Sequence, residues 1–528
     1  MHTAQSAASG NTPGSLRRED LSPHFEDIGG RKVFYVDGWP FTILTAEITW
    51  LDLVHGRYRE TLHAYDHLYP AAARLGLNTL KVPIKWSMVE PERGVYDFSY
   101  LEHVKATAER HGLKLVVGWF GHYASGDGTI YRNLRGEVYA PMYVIEDTET
   151  YPRAVDADGV AHHNAVSYDY EPVIEAETAA FRAFMRRIRE IDAQTRTILM
   201  VQVENEIAVF GADRQNAKHW RDHSPASERF FREGGYTDDL RYSAERFSGN
   251  WLRRLTEAGH AEYPIPFFVN FVGGKLADWM TGGAPGEDVA TYMKNCPRIA
   301  YAGLNHYASP DESMDDARAV LGSYRVGRNL VAVTETNSDP GPLAPRLAFL
   351  ATGEFGAPIF APWALDVSCP MAGYPYVTAG GEAANGAFAL RESYLALGRI
   401  LPHLAYYGGT ERLKVFVRNH PGEAYRETKE VGGVPVTVTG EEHGDGQAIV
   451  VSPAPGEFII AAFRCGVTIP CAAARWPELR EIEARRVAWR RGGWMEEQGE
   501  PFVTIDQSRR QVHLWLHEPQ AVRVRWPE

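Results

Sequence analysis

Cysteine is scarce in this chain, with four in 528 residues (Cys296, Cys369, Cys465 and Cys471) and no C-x-x-C pair. That excludes a disulfide-stapled scaffold and gives no zinc-site spacing, so the four read as small buried hydrophobes. Basic runs are absent and the formal net charge is −13. This argues against nucleic acid or an anionic membrane as partner and favours a neutral substrate. No stretch approaches 18 continuous apolar residues, so no membrane-spanning helix is expected. The opening MHTAQSAASGNTPGSLRRED lacks the apolar centre of a secretion signal. It reads as part of a disordered or extended tail over residues 1–30, with a cytoplasmic location as the expectation. Also missing are the G-x-G-x-x-G and G-x-x-x-x-G-K-[ST] phosphate loops, an H-E-x-x-H pair and a G-x-S-x-G elbow. His122, His162, His163 and His306 show no ligand spacing; the chain therefore implies no cofactor and no metal.

What the chain does contain is an alternation. RKVFYVDGWPFTILTAEITW reads as a strand, an Asp37-Gly38 turn and a second strand. Leu62, Tyr65, Leu68, Ala72 and Leu75 then recur at helical spacing up to Gly76, and TLKVPIKW follows as a strand. Next come a helix with Ser99 as candidate N-cap and Gly112 as stop, and a strand from Leu113 to Trp119. Beyond the helix IEAETAAFRAFMRRIREIDAQ, further apolar runs cover 198–206, 265–271, 299–307, 330–336 and 357–366. Counting FTILTAEI, that makes eight short strands separable by helix or loop, the pattern of a (β/α)8 TIM barrel, an α/β fold. An open doubly wound sheet is the alternative, and it lacks its phosphate turn. Past about residue 410 the runs become short, β-prone and punctuated by Gly, Pro and Asp. The expected division is a catalytic barrel over 31–408 and an antiparallel, sandwich-like β domain over 409–528. Composition is compatible with a homo-oligomer and does not decide it.

ILMVQVENEIAVFG (198–211) opens like a buried strand yet carries Gln202, Glu204, Asn205 and Glu206. Burying unpaired carboxylates is costly, so these groups either form a salt-bridged core or line a site. Active sites of TIM barrels lie at the C-terminal strand ends. There the chain places Glu47 and Trp50 on the first strand, Trp86 on the second, Trp119-Phe120 on the third and Asn205-Glu206 on the fourth. The fifth ends in Asn270, the sixth in Asn305-His306-Tyr307, the seventh in Glu335 and the eighth near Trp363. Two carboxylates among aromatic rings suit a glycosidase, since rings stack on sugar faces and a carboxylate pair supplies both roles in cleaving a glycosidic bond. For Glu206 and Glu335 the structural alternative is a buried ion pair at the barrel mouth. For Trp86, Trp119 and Trp363 it is core packing, and for Tyr307 a plain rim aromatic. Glu204, two residues before Glu206, is expected to face the same way as a structural partner of Lys81, Lys85 or an arginine.

MVQVENE together with VAVTETN resembles the acid/base and nucleophile strands of the retaining barrel glycosidases of clan A. GLNTLKVPIKW, EPERGVYDFS and HGLKLVV are similar to glycoside hydrolase families 35 and 42, and the QVENE spelling favours family 35, the β-galactosidases. The resemblance covers roughly residues 31–370, and the β domain behind it resembles a bacterial branch of that family. It implies an exo-acting β-galactosidase with carbohydrate as partner, Glu206 as general acid/base, Glu335 as nucleophile and Asn205 on the sugar 2-hydroxyl. Two segments depart from the family pattern, TAEITW, with Thr49 and Trp50 where His-Tyr is expected, and GHYASGDGTIYRNLRG. Both would shape the sugar pocket. A β-glucoside, β-glucosaminide or β-arabinopyranoside therefore stays open as substrate, as does a carbohydrate-binding protein on an inactive barrel.

Overall fold

The structure is a computed structural model. It describes residues 16–48, 62–121, 139–207, 209–210, 221–272, 288–309, 311–338, 343–366, 375–384, 386–441, 444–471, 481–490 and 492–526. Thr49, Trp50, His122, Cys369 and most of GHYASGDGTIYRNLRG lie outside these residues.

The described chain begins with a small antiparallel sheet of β1 (His24–Ile28), β2 (Arg31–Val36) and β3 (Trp39–Pro40). Asp37 and Gly38, at φ 52° and 79°, make the turn between β2 and β3. Positive φ at both central residues is what a two-residue hairpin with the right-handed strand twist requires. Residues 24–28, expected in a tail, are thus a paired strand. Their register against β2 sets Phe25 opposite Phe34, and the two rings pack 5.0 Å apart.

Eight parallel strands follow: β4 (Ile43–Leu44), β5 (Thr79–Lys85), β6 (Lys114–Phe120), then, after a hairpin of β7 (Arg153–Val155) and β8 (Ala161–Val166), β9 (Ile198–Val203), β10 (Phe267–Val272), β11 (Ile299–His306), β12 (Val333–Asn337) and β13 (Ile359–Trp363). Their order is β4-β13-β12-β11-β10-β9-β6-β5. The ring closes between β4 and β5 through the parallel bridge of Glu47 and Lys81, with Ile48 N–H donating to the Lys81 carbonyl and Lys81 N–H to that of Ala46. The fold is therefore a TIM barrel, as the alternation predicts. The helix at Ser99–Arg110 has no side-chain cap. Instead of Ser99 serving as N-cap, the Asp97 carboxylate accepts the Ser99 N–H at 2.9 Å. No described helix is long and apolar enough to cross a membrane.

Two cores follow from strand alternation. Leu115, Val117 and Trp119 of β6 belong to the large cluster packed against the helices, whereas Val116 belongs to a separate cluster with Phe34, Ile43, Met200, Phe268, Tyr301, Ala332 and Ile359. This second cluster fills the barrel's lower interior, with Phe34 and Val36 of β2 sealing it from beneath. The strands after Leu413 form two antiparallel sheets of six and five strands. One face of the larger sheet (Val415, Ile449, Ile459, Ala461) packs against the barrel's helices. The opposite face (Phe416, Val450, Phe458, Ile460) closes a sandwich core with Val436, Val467 and Leu514. The described cysteines Cys296, Cys465 and Cys471 are buried and unbridged.

Candidate active site

Two or four residues above the apolar layer, five of the barrel strands turn polar on their inward face, whereas β6 continues to Phe120 and β13 through Ala361 to Trp363. Ile43 is followed through Thr45 by Glu47, Met200 by Gln202, Phe268 by Asn270, Tyr301 through Gly303 by Asn305, and Ala332 by Thr334. Since side chains two apart share a strand face, the same alternation that builds the core carries these groups into one chamber at the C-terminal end.

β9 ends at Val203, and Glu204 and Glu206 both adopt left-handed backbone, with φ 65° and 46°. Such conformations cost on the order of 1–3 kcal/mol each in a non-glycine residue and persist only where the surroundings impose them. Gln202 imposes this one by donating to the Glu204 carbonyl at 2.9 Å and to Asn205 Oδ1 at 3.1 Å. The bend separates Glu204 from Glu206, which simple alternation would have aimed alike. Glu204 turns back to accept the Gly121 N–H at 3.1 Å. A Cβ at Gly121 would collide with the carboxylates of Glu204 and Glu177, so only glycine fits there. The Lys81 ammonium, one of the partners considered for Glu204, lies with Glu47 and Glu335 instead.

Glu206 and Glu335 are joined through two amides. Glu206 Oε1 accepts from Asn305 Nδ2 at 2.9 Å, and its backbone N–H donates to Asn270 Oδ1 at 2.9 Å. Asn270 Nδ2 lies 2.9 Å from Glu335 Oε1, 2.8 Å from Asn205 Oδ1 and 3.2 Å from Asn305 Oδ1. Asn305 is steadied by the Thr334 hydroxyl at 2.9 Å. Glu335, 2% exposed, takes two further donors: Lys81 Nζ at 3.3 Å on Oε1 and the Tyr307 hydroxyl at 2.7 Å on Oε2. Tyr307 is 45% exposed as a residue, but at its inward hydroxyl end desolvation, then the charges of Glu335 and Glu206, push the phenol above its usual range, so it stays a donor. Glu206 is half-buried.

Lys81 also sits 2.6 Å from Glu47, and both are fully buried. Burial opposes the ammonium, but the Glu47 and Glu335 charges outweigh it and raise the Lys81 pKa. Burial raises the Glu47 carboxyl to about 8, against the pull of Lys81 and with the push of Glu335. One cation thus faces two carboxyls, and burial holds that of Glu47 well above the usual carboxylate range. Lys81 engages Glu47 Oε2, and Oε1 has no hydrogen-bond partner among the described residues. Asn205 likewise accepts twice on Oδ1, which leaves Nδ2 to donate.

Glu206, Glu335, Asn205, Asn270, Tyr307 and Glu47 thus converge. Trp363 belongs to the same rim, half-buried at the end of β13 with its backbone bridged to Glu47. Trp86 and Trp119 do not. Trp119 faces outward, donating to Glu177 at 3.0 Å and packing on Phe181 and Phe184. Trp86 is fully enclosed and donates to Glu90 at 2.8 Å. Both are core residues: Trp119 because its parity on β6 points it at the helices, and Trp86 because β5 has ended at Lys85 and it opens a short buried helix, Trp86–Val89. His306 is held by Glu312 and His162 by Asp156, each at 3.0 Å. Lys81, Asn305, Gln202 and Thr334 complete the network although strand-end reading passes over their roles. The signal for Gln202 and Thr334 was the two-residue step from the apolar interior positions Met200 and Ala332.

The sequence matches no protein-family model and no curated protein. Among solved structures it is similar to an exo-β-1,4-mannosidase from Opitutaceae bacterium strain TAV5, at 15% identity and TM-score 0.44 over 71% of this chain and 62% of that one. It is also similar to a β-galactosidase from Marinomonas ef1, at 12% identity and TM-score 0.46 over 67% of this chain and 59% of that one. A third is the catalytic domain of a β-amylase from Paenibacillus polymyxa, at 10% identity and TM-score 0.48 over 66% of this chain and 97% of that one. The chain spans about three fifths of the length of the first two.

Proposed function

We propose that the chain is a retaining exo-β-glycosidase, with a terminal β-galactoside as preferred substrate, and that residues 31–408 are its catalytic unit. The observation that carries this reading is the pair Glu206 and Glu335, held in different surroundings yet linked through Asn305 and Asn270. Retention by double displacement needs one carboxylate that is a fixed anion and one that exchanges a proton, about 5–5.5 Å apart. Glu335, with an ammonium, an amide and a phenol as donors, suits the first role. Glu206, half-buried, suits the second.

In the first step Glu335 attacks the anomeric carbon. The bond to the leaving oxygen breaks as that oxygen takes the Glu206 proton, and a glycosyl ester forms on Glu335. In the second, Glu206 removes a proton from water, the water oxygen bonds to the anomeric carbon and Glu335 departs as carboxylate. Loss of the Glu335 charge in the ester lowers its repulsion on Glu206, which is what lets Glu206 switch from acid to base. Asn205 Nδ2 is available to the sugar 2-hydroxyl, a bond that strengthens as the ring flattens toward the oxocarbenium ion. Glu47 Oε1, without a hydrogen-bond partner among the described residues, is the oxygen left for another sugar hydroxyl. The protein itself supplies every group this chemistry needs.

The test is hydrolysis of aryl β-glycosides (galactoside, glucoside, glucosaminide, arabinopyranoside) by wild type and by Glu335→Gly with and without azide. Best cleavage of the galactoside, with azide restoring the variant and yielding an α-galactosyl azide, supports retention, nucleophile and sugar together. Preference for another glycoside keeps the mechanism and changes the sugar. A folded wild-type protein that binds sugar but cleaves none of the panel points to the carbohydrate-binding reading.

A further inference from the structure

Away from the barrel mouth, two histidines from different elements converge on one carboxylate. His63 and Asp66 lie in the turns before the helix Leu68–Arg74, and His103 lies on the helix Ser99–Arg110. His63 Nδ1 is 2.9 Å from Asp66 Oδ2, and His103 Nε2 is 2.6 Å from Asp66 Oδ1. The imidazoles stand nearly perpendicular, 87° between planes with centroids 4.5 Å apart. Among the described residues this is the one group of three such side chains whose ligand atoms all fall within 4.8 Å of one another.

We infer that His63, Asp66 and His103 form a zinc site. Tetrahedral zinc takes imidazole nitrogen at about 2.0–2.1 Å and carboxylate oxygen at about 2.0–2.2 Å, so its ligands lie about 3.3 Å apart. The ligand atoms lie within 4.8 Å of one another, with the two imidazoles on different oxygens of Asp66, so a small rotation of the rings and the carboxyl closes them on an ion that replaces two hydrogen bonds with three coordinate bonds. Each histidine then keeps its remaining proton on the other ring nitrogen, on Nε2 for His63 and Nδ1 for His103. Two imidazoles and one carboxylate are a donor set for zinc rather than for magnesium or calcium, which take oxygen ligands. The His63 side chain is 74% exposed while His103 is 12% exposed, so the site has an inner wall and an open entry. The backbone is set for it, with Asp66 N–H donating to the His63 carbonyl at 3.2 Å and Leu68 N–H to that of Tyr65 at 3.0 Å. Water completes the fourth position. The ion pins the turn 62–67 onto the helix Ser99–Arg110, a structural role independent of the glycosidase reading.

The test is isothermal titration of the full-length, chelator-treated chain with zinc chloride at pH 7.5 and at pH 5.5, for wild type, His63→Ala, His103→Ala and the neighbouring control His67→Ala. Circular dichroism establishes that each is folded. The expected result is one ion per chain with micromolar or tighter affinity. His63→Ala and His103→Ala should each weaken it by about tenfold or more, His67→Ala should leave it unchanged, and it should fall at pH 5.5 as protons compete for the imidazoles. Hydrogen exchange should slow in residues 62–67 on adding zinc to wild type alone. Absence of saturable binding, or binding equal in all four proteins through other histidines, would overturn the assignment.

Discussion

His403 should make the seam between barrel and β sandwich sensitive to acid, and the size of the effect can be worked out. The side chain is 3% exposed, in the helix Leu401–Tyr407. Its ring lies 4.8 Å from Trp494, 5.5 Å from Trp489 and 6.2 Å from Tyr407. Burial, helped by the Arg523 charge, lowers its pKa from 6.5 to about 3. The unfolded chain therefore takes up a proton near pH 6.5 that the folded chain refuses until about pH 3. In that window the unfolded state binds more protons, so stability falls as pH falls, by about 1.4 kcal/mol per unit well below pH 6.5. Between pH 8 and pH 5 this one group should remove about 2 kcal/mol. His403→Phe keeps an aromatic ring among aromatic neighbours, removes the titration and also removes a buried Nδ1 that completes no hydrogen bond among the described residues. Urea unfolding followed by tryptophan fluorescence at pH 8, 6.5 and 5 measures both proteins. The wild type should lose about 2 kcal/mol more than the variant between the extremes. Equal losses in the two proteins would refute the argument.

Three further outcomes follow from the chamber. Lys81→Met removes the ammonium shared by Glu335 and Glu47; kcat/KM should fall about 100-fold or more, and its acidic limb should move up by about one pH unit or more. A pH profile of unchanged shape would show that Lys81 merely fills space. Glu206→Gln should slow hydrolysis of glycosides with poor leaving groups by about 10²–10⁴ and of activated aryl glycosides much less, read as the ratio of kcat values. Gly303→Ala should destabilise the protein by about 1–3 kcal/mol in chemical unfolding and lower activity as well, because the new Cβ meets the Thr334 side chain that steadies Asn305.

The barrel was legible because eight apolar runs, each near strand length and separated by helical or loop segments, admit few closed arrangements. Asp37-Gly38 was legible for a local reason, the rarity of positive φ outside such turns. Ser99 was misread because three candidate caps (Asp97, Ser99 and the backbone) compete within three residues, and side-chain length decides among them. Trp86 and Trp119 stayed open between sugar platform and core because a position near a strand's end does not tell which face it occupies, nor whether the strand has already given way to a helix, as at Trp86. Counting two residues at a time from Val116, an interior residue, lands on Phe120 and skips Trp119.

Asn270 shows why the rest of the chamber could not be read along the chain. As one residue at the end of one apolar run it has no local signature, yet its side-chain amide touches groups from β11, β12 and the turn after β9. Such a network exists only once four strands are in register. It is also expensive to bury: every amide and carboxylate in it costs about 1–3 kcal/mol if left without a partner, and two left-handed residues add strain. A chamber built only for stability would satisfy all of its atoms or replace them with apolar ones. This one satisfies Glu335, Asn270 and Asn305, which set geometry. Among the described residues it leaves Asn205 Nδ2 without an acceptor and Glu47 Oε1 without a donor. Unsatisfied groups at the upper end of a satisfied network have a use if a ligand rich in hydroxyl groups completes them. Occupancy by such a ligand should therefore raise the unfolding temperature of a Glu206→Gln protein, in which binding persists without turnover, and Asn205→Ala should remove most of that rise.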